Sequence, residues 1–369
     1  MQAWFLATEL ARRGYDVHYI CQSVVPTKVG QTERLQCVNI HWLRPSGRFL
    51  WLDVGKYFRV LINIMPDIVI QRLSYCVTGT IGRFCRRYKK PFIWICTDDM
   101  SPNPWLSCSK LRAMCRNASI SWAKHLVFLA NAIICDLMRQ RGLRCVTQAF
   151  VLNDFQGKEL LRRCGIKPKR MISGHPIPNY TLPPRKKIDQ AIVLWAGNLG
   201  YNKSPKTFIE LAHDCLHTNL RFVMIGGGLS DERVQELFKS IPSNLEWKGR
   251  LPFKETIQYF DMATFLVNTS ISEGFPNTFI QAWLRGVPIL SIGVDPNQVV
   301  TKNRLGYVAT YLGDLEREML RLINSPEEYI ELSRNAKTYA EQHHTVEAMT
   351  DKFLGILQSA DILRHQGNL

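Results

Sequence analysis

At 369 residues, 46% hydrophobic and 21% charged, the chain has length for two ordinary domains and the composition of a globular protein, not a fibrous or disordered one. No apolar stretch reaches the roughly 18 residues of a membrane-spanning helix; the nearest, HLVFLANAIICDLM (125–138), is too short and too polar. The net charge of +16 lies in the first half: residues 1–170 hold 27 Lys and Arg against 10 Asp and Glu, and the remainder 20 against 21. Such a face suits phosphate-bearing surfaces, an anionic membrane leaflet or nucleic acid, and the RRYKK cluster (86–90) with Arg83 strengthens that reading over charge kept for solubility alone. The opening residues lack a basic region followed by an apolar run, so no secretory signal is expected. Eleven cysteines without CxxC or Cys/His ligand spacing read as thiols of a reducing cytosol, not as a disulfide framework or a zinc site.

In chain order, QAWFLATELARRGYDVHYI predicts a helix closed by Gly14 and then a strand. An α/β domain ordinarily opens with a strand and a glycine turn before such a helix, and none precedes it here. Further strands are predicted at IVIQ (68–71), FIWIC (92–96) and HLVFL (125–129). The second half predicts IVLWAG (192–197), RFVMIG (221–226), LEWKG (245–249), FLVNTS (265–270) and VPILSI (287–292). Helical patterns fall between them, TFIELAHDCLH (207–217) for example, and the chain from Ser325 onward reads as helical. That alternation predicts parallel α/β layers. The proline-rich GHPIPNYTLPPRKK (174–187), opened by a glycine, is the best domain boundary. The expected domains are therefore 1–175, 176–345, and a terminal helix over 346–369 that packs back towards the first.

Two strand–loop–helix junctions in the second half are built for anions. In SISEGFPNTFIQAWLRG, Asn277 is predicted as the N-cap and Gly286 as the terminator of a helix that starts past the carboxyl end of a strand. Free backbone N–H groups there suit phosphate, with which the carboxylate of Glu273 would clash. Glu273 is better suited to accept hydrogen bonds from sugar hydroxyls; the alternatives are a helix cap or a solvated side chain. Gln281, one turn inside the helix, faces the same crevice or solvent. In AIVLWAGNLGYNKSPKTF, the strand ends at Gly197 and Asn198, and Lys203 precedes Ser204 as N-cap and Pro205 at the first helical position. Cation and helix dipole together favour an oligophosphate. The GGG at 226–228 lacks GxGxxG spacing and reads as a tight turn. Asp98 and Asp99 lack a third metal ligand, so no metal site is expected.

The stretch SISEGFPNTFIQAWLRGVPILSIGVDP, with WAGNLGYNKSPKTFIELA, RFVMIGGG, LEWKGRLPFKETIQYFDMATFLVNTS and LGYVAT in order, resembles glycosyltransferase family 4. FLATELARRGYDVHYI, PDIVIQRLSYCVTG, KKPFIWICTDD and VLNDFQGKELLRRCGI extend the resemblance more loosely into the first half. It implies an α/β protein of GT-B architecture, two Rossmann-like domains with parallel sheets facing across a cleft. It also implies a retaining, metal-independent transfer from a UDP- or GDP-sugar to a glycan or lipid-linked acceptor. Carried over by position, Glu273 binds donor-sugar hydroxyls, the backbone of Gly274, Phe275, Pro276 and Asn277 approaches the diphosphate, Lys203 neutralises it, and Gln281 replaces the usual ribose-binding glutamate. Asn198 stands where an arginine is common and Thr97 where a histidine is common, which leaves Arg72 and Asp98 as acceptor-side candidates. The missing opening strand is expected to reflect a truncated or misassigned start, or a decayed gene. A cytoplasmic protein on the inner face of the plasma membrane follows, its basic half on the anionic leaflet and no nucleic-acid partner expected. The alternative is an inactive homologue that binds surfaces or nucleic acid through that half.

Overall fold

Short β-branched and aromatic runs form most of the strands, and in the parallel sheets helices return the chain along the sheet between strands. The computed structural model describes residues 1–47, 49–72, 75–115, 121–179, 191–228, 234 and 236–363. The chain forms two compact units, Met1–Ile172 with Met349–Leu369, and Ser173–Ala348.

In the first unit, α1 (Gln2–Arg12) turns at Gly14, whose φ of +89° suits glycine, into β1 (Val17–Gln22). β2 (Thr32–Leu35) and β3 (Val38–Leu43) follow, and a three-stranded sheet of order β1-β3-β2 forms, with β1 parallel and β2 antiparallel to β3. Next come α2 (Gly55–Ile64), β4 (Val69–Arg72), α3 (Val77–Tyr88), β5 (Phe92–Ile95), α4 (Leu106–Cys115), α5 (Trp122–Leu143), β6 (Gln148–Val151), α6 (Asp154–Cys164) and β7 (Lys169–Arg170). These strands make a separate all-parallel sheet, β4-β5-β6-β7. Among the described residues β1 and β4 each pair on one side only. Phe84, Phe92 and Trp94, all fully buried, centre the core beneath the parallel sheet. Helices α3 and α5 approach so closely that a Cβ at Gly142 would lie 2.1 Å from the Thr78 carbonyl oxygen.

The second unit is one six-stranded parallel sheet of order β10-β9-β8-β11-β12-β13. In chain order its elements are β8 (Ile192–Ala196), α7 (Pro205–Asp214), β9 (Arg221–Ile225), β10 (Leu245–Trp247), α8 (Phe253–Met262), β11 (Phe265–Asn268), α9 (Asn277–Trp283), β12 (Ile289–Ile292), α10 (Val299–Lys302), β13 (Gly306–Ala309), α11 (Leu312–Ile323) and α12 (Pro326–His343). Apolar clusters cover both faces, one built around Trp195, Phe208 and Phe222 and the other around Phe279, Trp283 and Leu266. That double burial is why these strands read as continuous apolar runs. The last helix, α13 (Val346–Ser359), returns to the first unit, where Phe353 packs 5.2 Å from Phe150 and Asp351 pairs with Arg13 at 2.5 Å.

The predicted strands of the second half all form. HLVFL does not: it lies inside the 22-residue α5, because helical periodicity continues on both sides of that five-residue window. Most of the predicted connector, 180–187, lies outside the described residues. Its described start carries an isolated bridge between His175 and Thr345.

Candidate functional site

The carboxyl ends of β8 and β11 lie side by side, and a polar network joins the loops that leave them. Trp195 donates from Nε1 to the Thr269 hydroxyl at 3.0 Å, and that hydroxyl lies 2.9 Å from the carbonyl oxygens of both Lys203 and Ser204. Asn202 donates to the Ser272 carbonyl at 2.7 Å, and the Ile271 amide donates to the Asn202 carbonyl at 2.8 Å. The two loops are therefore one construction. Ser204 sits in the left-handed region at φ 45°, a conformation that costs a non-glycine residue of order 1 kcal/mol and is held here by those bonds.

Within this construction Lys203 and Glu273, seventy residues apart, form an ion pair between Nζ and Oε1. The Ser270 hydroxyl also donates to Glu273 at 2.7 Å and lies 2.8 Å from the Asn268 side-chain oxygen, while Asn268 donates to Ser291 at 3.1 Å. A buried chain of polar groups thus runs from β12 through the end of β11 to the carboxylate. Glu273 is not a helix cap: α9 has Pro276 at its N-cap and no side-chain cap. That also corrects the expectation for Asn277, which is the first helical residue and not the cap. Ser204 is the N-cap of α7 as predicted, with Pro205 in its first turn, but it makes no side-chain cap bond and instead meets the Thr207 hydroxyl at 2.8 Å.

Gly274 and Pro276 are buried, Phe275 is half-buried and Asn198 is exposed. Gly197 lies beside Lys203: a Cβ there would fall 3.6 Å from the lysine Cδ. Gly226 is fixed by close approach, since its Cβ would lie 1.9 Å from the Gly197 carbonyl oxygen. Gln281 is buried, which removes the solvent-facing reading, and its carbonyl accepts from Arg285, itself paired with Asp261 at 2.6 Å.

Sequence reasoning missed the support behind the Glu273 loop. His344 packs against Phe275 with the rings tilted and their centroids 4.9 Å apart, and its Nδ1 lies 2.8 Å from the Ser173 carbonyl. His175, only 2% exposed, is hydrogen-bonded to the Asn277 side chain, and burial is the main force that lowers its pKa to about 3, with Arg285 and His344 adding to it. A histidine that is neutral when folded and titrates ordinarily when unfolded supports stability fully above about pH 6.5, and that support fades as pH falls towards 3. Its loss amounts to at most about 1.4 kcal/mol per pH unit in that window. Urea unfolding at pH 7 and pH 5 is therefore expected to show a smaller acid loss for His175→Asn than for the wild type; equal losses would refute this role. The signal that could have exposed such residues was a polar NTS run closing an apolar strand, and it points to Asn268, Thr269 and Ser270 but not to the histidines.

The acceptor-side candidates separate. Asp98 accepts from the Met100 and Ser101 amides at 3.0 and 2.8 Å, so its carboxylate closes its own turn. Asp99 accepts from Asn153 and Gln156 at 3.1 and 3.0 Å. The two carboxylates are engaged in separate hydrogen bonds, and no group of three or more His, Cys, Asp or Glu suited to a metal occurs among the described residues. Arg72 ends β4, with its Nη1 buried and without a hydrogen-bond partner among the described residues.

Two α/β units with parallel sheets define a GT-B protein. The crystal structure of Anabaena HepE in complex with UDP and glucose superposes with a TM-score of 0.69 at 16% identity, covering 96% of this chain and 94% of that one. Residues 181–342 match the family Glycosyl transferases group 1, and they contain Lys203, Glu273 and the whole loop construction. The D-inositol 3-phosphate glycosyltransferase of Gordonia bronchialis is 26% identical over 402 residues, 96% of this chain and 83% of that protein. An uncharacterized glycosyltransferase of Haemophilus influenzae is 25% identical over 191 residues, 49% of this chain, and the match spans about half, 53%, of that relative's length. The near end-to-end alignments give no support to the expectation that the chain starts late relative to its fold.

Proposed function

We propose that the protein is a retaining glycosyltransferase that moves a sugar from a nucleoside diphosphate sugar, a UDP-sugar foremost, to a glycan or lipid-linked acceptor. The observation that carries this reading is the Lys203–Glu273 pair at the carboxyl ends of β8 and β11. It offers a cation for a diphosphate and a carboxylate for sugar hydroxyls within one rigid polar network. In this reading the diphosphate enters beside the 274–277 backbone and draws Lys203 towards itself. Glu273, released from part of that pairing, accepts from the donor sugar, and Gln281 serves the ribose. As the glycosidic bond breaks, negative charge grows on the leaving phosphate, where Lys203 stabilises it without waiting for solvent to reorganise. The departing phosphate oxygen then takes the proton of the acceptor hydroxyl that attacks the same face of the sugar. Lysine supplies the charge that a metal would otherwise bring, so EDTA is expected to leave transfer intact.

The acceptor belongs to the basic first unit in this reading. An anionic bilayer as its setting is supported by α5, where Trp122 is 77% and Leu126 53% exposed and Ile133 and Leu137 lie on the same helical face. The test is a thermal-unfolding panel with UDP, GDP and their sugars, followed by transfer assays with EDTA and with anionic vesicles present. UDP and a UDP-sugar are expected to raise the unfolding midpoint, and vesicles to retain the protein at low salt. Silence across the nucleotide panel together with salt-sensitive DNA binding would replace this reading by a nucleic-acid-binding one.

A further inference from the structure

Arg72 is the last residue of β4, and α3, twelve residues long, opens five positions later. The carboxyl end of a parallel strand followed by a helix start is where open α/β sheets receive anions. Among the described residues no carboxylate pairs with this arginine. Its Nη1 is sealed from water and has no hydrogen-bond partner among those residues, while the residue as a whole is partly exposed. The group that bears most on it electrostatically is the phenol of Tyr19, and burial pulls the guanidinium pKa down to about 10, so it stays charged at neutral pH. A guanidinium with one amino group sealed from water and no counter-charge beside it is costly to desolvate, and an oxyanion from outside would offset that cost.

The helix start points the same way. α3 has no side-chain cap and no acidic residue in its first turn. At its N-cap, a hydrogen bond from the Cys135 thiol lowers the pKa of the Cys76 thiol against the opposing effect of burial, and the backbone amides of Cys76 and Val77 add less.

We infer that the β4–α3 junction is an oxyanion subsite anchored by Arg72, and that the acceptor carries a phosphate or carboxylate which this subsite holds. Only the word acceptor rests on the glycosyltransferase reading; the binding of an oxyanion does not. A guanidinium can grip either group by two parallel N–H bonds, which fixes orientation as well as charge. An acceptor so held would present its hydroxyl in a fixed register, and neutral analogues would lose that register.

The experiment uses inorganic phosphate, with acetate as the carboxylate probe, on the full chain in a Lys203→Ala background that removes the donor-site cation. Phosphate or acetate is expected to raise the unfolding midpoint of the Lys203→Ala protein by a few degrees, and to leave Lys203→Ala/Arg72→Met unmoved. Whichever anion acts at the lower concentration names the group. Without any anion, Arg72→Met in the otherwise wild-type chain is expected to unfold no earlier than the wild type, because it removes an uncompensated charge. Equal anion shifts with and without Arg72, no shift in either, or an early-unfolding or misfolded Arg72→Met chain would each overturn the subsite, the last by making Arg72 a structural residue. UDP protection of the wild-type chain is measured alongside. Its absence would count against the donor reading and leave the anion result to stand or fall separately.

Discussion

Replacing Lys203 by alanine is expected to cut transfer by about 10³-fold, near 4 kcal/mol, the scale on which one preorganised charge-stabilising donor acts. The loss should exceed that of a simple contact because of what stays behind. Glu273 has a side chain only 14% exposed and is paired with Lys203 in the ligand-free protein. Without the lysine, its carboxylate would meet the incoming diphosphate uncompensated, so UDP affinity should fall together with turnover. Stability should fall by less, about 1–2 kcal/mol, because the lysine side chain is 28% exposed and solvent screens part of the pairing. Titration calorimetry with UDP and urea unfolding separate these effects. Unchanged UDP affinity in a well-folded Lys203→Ala protein would remove the lysine from the phosphate site. Lys203→Arg should restore UDP binding only in part, since a planar fork cannot reproduce an ammonium held at one carboxylate oxygen.

The sequence was most legible where local rules and burial agree. RFVMI and FLVN are apolar on both faces because helices cover both sides of their sheet, and each is bounded by polar or glycine residues that end the run. HLVFL satisfied the same local rule and became helix, because it is a five-residue window inside a helical pattern that runs on past both of its ends. The short β2 and β7 carried too few apolar residues to stand out, and the four-residue β13 pairs along its whole length with β12 beside it. In the site, the residue types at 203 and 273 pointed to phosphate and sugar hydroxyls, but their pairing did not follow from types alone. It depends on Thr269 holding the 203–204 backbone, and on β8 and β11 being neighbours, which is a property of the sheet order. Asp98 shows the converse: its DxxS pattern fits a side chain that closes its own turn, and the structure gives it that task. Arg72 was legible as a cation, but that its Nη1 is buried without a hydrogen-bond partner among the described residues became visible only once burial was known.

Glu273→Gln separates the two halves of the ion pair, because its effects on binding and turnover should have opposite signs. The amide keeps the shape and can still accept from Ser270, so the loop should hold. It no longer holds Lys203 by charge, and it no longer repels the diphosphate. UDP affinity is therefore expected to stay level or to rise by up to about tenfold, equivalent to ~1.4 kcal/mol. Transfer should fall by about 10²–10³-fold, because hydrogen bonds from sugar hydroxyls to a charged acceptor, at about 1.5–3 kcal/mol each, weaken just when the sugar gains positive character. The ratio of UDP-sugar affinity to UDP affinity carries the sharpest information: it should drop, since only the sugar loses its acceptor. A Glu273→Gln protein that loses UDP affinity in step with transfer would show that the carboxylate acts through Lys203 and not on the sugar. The Lys203→Ala/Glu273→Gln double variant closes the cycle. Removal of the lysine alone leaves a repelling carboxylate, whereas removal of both charges leaves none, so the double variant should bind UDP better than Lys203→Ala while transferring no faster.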